Sequence, residues 1–292
     1  MEFISTLLGG LSSGGTYAMI ALGYTMVYGI AKMLNFAHGD IIMVGGYILY
    51  IMMLKLSQNI FVGVLVAVLF CVLLGITVER LAYRPLRGAS PLAVLITAIG
   101  VSYLLQSLAL IIFGSSPKMM AVLQISGSIK IGTLFIDYST IVTLLAAAAI
   151  MVALTLFVKK SKTGRAMVAV SEDRDAAKLM GINVNFIIMI TFAIGAALAA
   201  LAGLFMLMKA PSLSNTFGAM PGIKAFTAAV IGGIGSIPGA MVGGILLGLI
   251  EAISVKIPLI APYTDAIEFS MLIIILLVKP TGILGKMRRE KV

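Results

Sequence analysis

Apolar residues run almost unbroken along this chain, in stretches of about twenty separated by short polar joints. Stretches of near-spanning length fall at 3–31, 39–56, 60–79, 91–113, 138–158, 186–208 and 262–279. A helix needs about 20 apolar residues to cross a hydrocarbon core of about 30 Å, so each is expected to span a membrane. Strands of a transmembrane barrel would alternate with a period of two, whereas these runs are continuous. The expected fold is an all-α polytopic membrane bundle of about eight transmembrane helices, plus a broken or re-entrant segment at 222–255. That segment is too long for one span. It is interrupted by Gly232-Gly233-Ile234-Gly235-Ser236-Ile237-Pro238-Gly239.

Composition agrees and removes the alternatives. Of the 292 residues, 61% are hydrophobic and 11% charged, against about 45–50% and about 25% in soluble domains. A soluble enzyme, a nucleic-acid binder and a disordered chain are excluded as descriptions of the whole. The formal charge of +10 does not favour nucleic acid, because the cations form no stripe interleaved with aromatics. Cys71 is the single cysteine; set among Phe70, Val72 and Leu73, it reads as a buried, inert thiol. The first apolar run lacks a basic flank and is too long for the core of a cleavable leader.

The cations fix orientation instead. Arg80, Arg84 and Arg87 follow the third run; Lys159, Lys160, Lys162, Arg165, Arg174 and Lys178 follow the fifth; Lys279, Lys286, Arg288, Arg289 and Lys291 end the chain. These are fourteen of the 21 Lys and Arg, and short loops rich in them stay on the cytoplasmic side. Counting back puts the amino terminus outside and the Lys32–Asp40 joint inside. For the basic tail to end inside, 222–255 must cross twice or make a re-entrant excursion. The piece from Gly222 to Gly233 is about 18 Å as a helix, short of a full span, so a broken helix beside a pathway is expected, with its break at membrane depth. Small residues at four-residue spacing (Gly10/Gly14, Gly195/Ala199/Gly203, Gly235/Gly239/Gly243, Gly244/Gly248) read as close helix packing. A loose echo between 38–46 and 237–244 hints at paired breaks in two halves.

Three places depart from the apolar pattern. Asn35-Phe36-Ala37-His38-Gly39-Asp40 holds the only histidine. It reads either as a helix end and start, with Asn35 left-handed and Asp40 accepting the first amides, or as a gate at the inner mouth of a pathway. The loop 159–185 contains what reads as a capped helix: Ser171 as N-cap, Glu172 and Asp173 in the first turn, Lys178 in the last and Gly181 as C′. Such termini on a helix carrying Ala176, Ala177, Leu179 and Met180 suggest a docking piece; the alternative is a helix lying on the membrane surface. Glu251, Asp265 and Glu268 sit in or beside apolar runs. They are expected to reach the interface, with Glu251 kept as a candidate for function. The sequence has no phosphate-binding G-x-x-x-x-G-K-[ST] loop, no Cys/His metal cluster and, with one histidine, no catalytic triad.

Taken in order, several segments resemble the permease subunits of branched-chain amino acid ABC importers over nearly the full length, specifically the shorter of the two paired permeases. The carriers are Asn35–Asp40, Glu79-Arg80 with Tyr83-Arg84-Pro85-Leu86-Arg87, Gly164-Arg165-Ala166-Met167, Asp175–Asn183, Thr191–Ala197, and Lys224–Val230 followed by Ile231–Gly239. Importer permeases carry a cytoplasmic E-A-A-x-x-x-G motif that docks on the ATPase. Asp175, Ala176, Ala177 and Gly181 fit that spacing, with Asp in place of the first Glu.

The resemblance implies one permease domain over 1–292 with its coupling loop at 159–185, in the inner membrane of a bacterium or archaeon. It implies Leu, Ile or Val as cargo and docking through Glu172, Asp175, Ala176, Ala177, Leu179, Met180 and Gly181. The implied partners are two ATP-binding subunits holding ATP and Mg, a second homologous permease, and a periplasmic or lipid-anchored binding protein. This chain itself would be non-catalytic and carry no cofactor. Asn35, Phe36, His38, Asp40, Gly232, Gly233, Gly235, Ser236, Pro238 and Gly239 are the pathway or gate candidates. Helix ends at the 232–239 break would supply dipoles for the zwitterion. The same architecture could carry urea, amides or other amino acids. A stand-alone secondary transporter or channel using Glu251 is the other alternative.

Overall fold

The computed structural model describes residues 2–56, 59–120, 127–131 and 134–285. Eleven α-helices dominate the described residues: α1 (Glu2–Ala31), α2 (His38–Ile51), α3 (Ile60–Val78), α4 (Pro91–Phe113), α5 (Tyr138–Lys160), α6 (Lys162–Glu172), α7 (Arg174–Leu179), α8 (Val184–Lys209), α9 (Ala219–Gly232), α10 (Ile237–Lys256) and α11 (Thr264–Val278). Two of these extend with a wider helical turn, α2 through Met52–Leu56 and α3 through Glu79–Tyr83. Seven helical stretches are long and apolar enough to cross a membrane. The chain is a multi-pass membrane protein, and the helices match the apolar runs read from the sequence to within a few residues; α1, read as a span from 3–31, is less apolar and is not among those seven.

The bundle has a basic end, which carries Arg80, Arg84, Arg87 and the α5–α8 loop, and an opposite, far end. Lys286, Arg288, Arg289 and Lys291 lie outside the described residues.

α1 is the axis of the bundle. It is about 45 Å long and runs antiparallel to α10, in contacts that only small residues allow. A Cβ on Gly10 would come within 2.8 Å of the Ala252 Cβ, and one on Gly14 within 2.8 Å of the Ile245 Cα. The Gly10/Gly14 and Gly244/Gly248 faces therefore meet each other, which is the close packing their spacing suggests. Its Ser, Thr and Gly content makes α1 less apolar than its neighbours, and it is shielded from lipid by α5, α8, α9 and α10. Cys71 is fully buried, its thiol 3.6 Å from the Ile41 carbonyl.

Residues 222–255 form a helical hairpin of α9 and α10; α10 is long enough to cross a membrane, and the 14-residue α9 is the shorter apolar arm. The Gly/Pro break is not at membrane depth, however. It is the hairpin turn at the basic end, with Gly233 and Gly235 at φ +109° and +93°. Ser236 caps α10 by accepting from Gly239 N–H at 3.2 Å. The segment after α11 closes over it through Ile283 N–H to Ile231 O and Leu284 N–H to Gly232 O, both 2.9 Å.

Breaks at depth occur elsewhere. The coil 32–37 turns back into the bundle, so that α2 starts beside Gly23, eight residues or about 12 Å inside the end of α1. The coil 210–218 dips in from the far end, and α9 starts beside the first turn of α2. There a Cβ on Gly39 would stand 2.5 Å from the Gly218 carbonyl oxygen. The starts of α2, which leads to the far end, and of the shorter α9, which leads to the basic end, thus abut inside the bundle. The echo between 38–46 and 237–244 does not correspond to this pairing.

Short strands that the apolar pattern did not indicate cover the far end: β1 (Lys118–Met119) pairs antiparallel with β4 (Ser212–Leu213), and β2 (Ser128–Ile131) with β3 (Leu134–Asp137).

Candidate transport pathway and docking helix

At the basic end, the polar loop folds as two helices rather than one. Ser171 is not a cap: it lies within α6, its hydroxyl donating to Val168 O at 2.7 Å, and Glu172 ends that helix. Asp173 is the N-cap of α7, accepting from Asp175 N–H at 2.8 Å and Ala176 N–H at 2.9 Å. At the other end, Gly181 is left-handed at φ +79°. Its N–H reaches Lys178 O at 2.9 Å and Ile182 N–H reaches Ala177 O at 3.0 Å, the paired bonds of a Schellman cap. Of the residues expected to dock, Asp175, Ala176, Ala177 and Leu179 are in α7, Met180 and Gly181 close it, and Glu172 belongs to its neighbour.

The orientation of this single turn is fixed from behind. Ala177 is 3% exposed and faces the bundle, while Leu179 and Met180 are 89% and 81% exposed. Arg174 donates to the Ile30 and Ala31 carbonyls at the end of α1. Its pKa is lowered chiefly by burial, then by the charge of Arg87, with Asp175 partly offsetting. The guanidinium remains charged and clamps α7 to the axial helix.

The Asn35–Asp40 segment lies inside the bundle, not at its surface. Lys32, at φ +52°, is the left-handed residue after α1, in place of Asn35. Asn35 is buried and its Oδ1 accepts from Tyr83 Oη at 2.9 Å. Asp40 does not cap α2; its Oδ1 accepts from Gln106 Nε2 of α4 at 2.9 Å. The His38 ring is buried against Gly23 and Gly195 and edge-on to Tyr24, 4.8 Å between centroids. Phe36 packs on Phe226 of α9 at 5.3 Å. These four side chains therefore brace the start of α2 against α1, α4, α8 and α9. Gly232, Gly233, Gly235, Ser236, Pro238 and Gly239 are apart from them, in the hairpin turn.

Toward the far end the acidic residues converge on one cation, Glu268 fully buried and Asp265 half exposed. Lys224 Nζ of α9 lies 2.7 Å from Glu251 Oε1, 2.8 Å from Asp265 Oδ1 and 3.3 Å from Glu268 Oε2. Tyr17 Oη donates to the same Glu251 oxygen at 3.0 Å. Glu251 and Tyr17 also line a cavity of about 530 Å³ between α1, α5, α8 and α10. Its walls carry the hydroxyls of Ser12, Ser13, Thr16 and Thr143 beside apolar Phe205, Ala252 and Val255, with Lys209 and Lys256 at the far end. Such a chamber offers apolar surface to a side chain and polar partners to charged groups.

A family model described as the branched-chain amino acid transport system, permease component, matches residues 6–276. The chain belongs to the branched-chain amino acid transport permease family. Relatives extend over its full length. It is 42% identical to the high-affinity branched-chain amino acid transport system permease protein BraD of Pseudomonas aeruginosa, over all of this chain and 98% of that one. Identity and coverage are the same for the permease protein LivH of Escherichia coli. The probable permease LivH of Methanocaldococcus jannaschii is 27% identical over 96% of this chain and 91% of its own.

In this permease, sequence reasoning found Glu251 but missed its partners Lys224 and Tyr17. A signal was available: Lys224 stands alone in an apolar stretch within a chain that also carries three acids near helices, and intramembrane charges seldom stay unpaired.

Proposed function

We propose that this chain is the transmembrane subunit of an ATP-driven importer of Leu, Ile and Val, with its basic end in the cytoplasm of a bacterium or archaeon. Relatives of matching length are named for branched-chain amino acid transport, which supports the cargo. The concentration of Lys and Arg at one end supports the orientation. All of 1–292 serves as one permease domain, and 159–185 is its coupling loop. The chain is non-catalytic and carries no cofactor; ATP and Mg bind to two partner ATPase subunits. A second permease completes the pathway, and a binding protein delivers cargo at the far end.

The observation that carries this reading is α7. A six-residue helix is far too short to persist alone in water, yet this one is capped at both ends and pinned to α1, and its outer face shows Leu179 and Met180 to solvent. A rigid apolar knob at the basic end is suited to seat in a cleft of a motor subunit and to pass that subunit's displacement to α1. The far-end cavity is the mouth that receives cargo; a cargo ammonium there shares Glu251 with Lys224 and Tyr17, and the hydroxyls of α1 face a carboxylate.

Co-purification from native membranes in mild detergent tests it. The intact chain retains ATPase subunits and a second permease, and the Leu179→Asp, Met180→Asp double variant folds but loses the ATPase. A folded chain that emerges with neither overturns the proposal and favours the stand-alone transporter.

A further inference from the structure

A second charged cavity lies at the basic end, away from α7's exposed face. The coil after α1 and the joint before α4 enclose about 320 Å³. Leu34, Leu86 and Leu95 form its apolar side, while Lys32, Arg87 and Arg174 carry the charge. Among the described residues lining it, none is acidic. Just behind, Glu79 ion-pairs with Arg87 Nη2 and Asn185 takes Nη1, while Arg87 Nε is buried without a partner. Arg174 spends its hydrogen bonds on neutral carbonyls. The pKa of Arg174 is lowered chiefly by burial and second by the nearby charge of Arg87. The amino-terminal end of α4, capped by Ser90, adds the positive pole of a 23-residue helix.

The cavity wall thus presents cations and, among the described residues, no carboxylate, which suits an anion. Two sources offer a phosphate, free in solution or carried by a lipid. The apolar side of the cavity favours the lipid, because Leu95 in its wall sits on the same first turns of α4 as Leu92 and Ile96, which are 63% and 61% exposed. A phospholipid fills both parts, its phosphate between the cations and its chains along α4; a free phosphate leaves the apolar side empty. The position suits this too, since α4 begins at the basic end, where a leaflet's headgroups lie. We propose that this cavity binds the phosphate of an anionic phospholipid.

Native mass spectrometry on the full chain in mild detergent tests it, with phosphatidylglycerol and phosphatidylcholine at matched concentrations. The chain is expected to prefer phosphatidylglycerol. The Lys32→Asn, Arg174→Gln pair is expected to bind it about thirtyfold more weakly, at about fivefold for each cation removed near the surface. The charge-preserving pair Lys32→Arg, Arg174→Lys is expected to keep the preference, which separates lost charge from lost fold. Arg165→Gln, at the same end but off the cavity, is expected to change nothing. Equal binding of the two lipids overturns the proposal, as does an unaffected neutral pair or loss of the preference in the charge-preserving pair. Displacement of phosphatidylglycerol by millimolar inorganic phosphate assigns the site to the free ion and overturns it as well. So does disappearance of the lipid preference on assembly with the ATPase, which would mean that an acidic protein surface fills the cavity.

Discussion

Lys224 Nζ and Glu268 Oε2 lie 3.3 Å apart where α9 meets α11, and the Glu268 side chain has no exposed surface. The same ammonium holds Glu251 of α10 and Asp265 of α11. α9 is a partial helix that starts inside the bundle, too short to be fixed by spanning. One cation shared among three carboxylates ties it to both of its neighbours in the second half of the chain.

Removing that cation is therefore costly. Breaking a buried ion pair costs about 3–5 kcal/mol because the remaining charge stays uncompensated, so Lys224→Met is expected to lower the melting temperature in detergent sharply. Lys224→Arg keeps the charge and most of the stability. Adding Glu268→Leu to Lys224→Met recovers part of the loss. A Lys224→Met protein as stable as its parent would show that the cluster does not hold α9.

The contact between the starts of α2 and α9 leaves no room for a side chain. Gly39→Ala brings a methyl group to 2.5 Å from the Gly218 carbonyl oxygen, and Gly218→Ala drives one into the carbonyl of Gly39. Both obstacles are backbone, so the helices must separate; either change is expected to abolish uptake and lower stability. Gly100→Ala in α4 meets nothing within 4 Å and is expected to stabilise by about 0.5–1 kcal/mol. Thermal melts and uptake assays on the three variants check this.

The caps of α7 give a separable prediction. Asp173→Ala removes an N-cap worth about 1 kcal/mol, and Gly181→Ala forces a side chain into the left-handed region at about 1–2 kcal/mol. Neither residue packs in the bundle. Retention of ATPase in pull-downs is expected to fall in both variants, while the melting temperature of the bundle stays unchanged. A fall in both readouts would mean that α7 is part of the core.

Gly9 lines the far-end cavity, and a Cβ there meets nothing within 4 Å. Gly9→Leu therefore fills the chamber without displacing protein. Leucine uptake is expected to drop more than about tenfold (roughly 1.4 kcal/mol), with assembly intact. Undiminished uptake would remove the cavity from the pathway.

The apolar spans and the break of 222–255 into two helices were legible because apolar runs of about twenty residues and a Gly/Pro-rich interruption are local signals. The depth of each break was not. Gly232–Gly239 has the composition of a disrupted helix, but a hairpin turn demands the same residues, and only packing against Thr281–Gly285 tells them apart. The break at 32–37 lacks Gly and Pro; 210–218 carries Pro211, Asn215 and Gly218, but these mark a loop without saying how deep in the bundle it lies. Asn35 and Asp40 have the chemistry of caps, yet Tyr83 and Gln106, 48 and 66 residues away, claim their side chains. The capped helix was legible to within two residues, its start shifted because Asp173 outcompetes Ser171 as a cap by accepting two amides at once. Lys224 was overlooked because its three partners lie 27 or more residues downstream.

The most direct test of the whole account is uptake of labelled leucine by the purified complex in sealed vesicles, with binding protein outside and ATP inside. The account predicts accumulation that requires ATP and is abolished by Leu179→Asp, Met180→Asp. Leucine uptake that proceeds without ATP, or that survives that double variant, would contradict it.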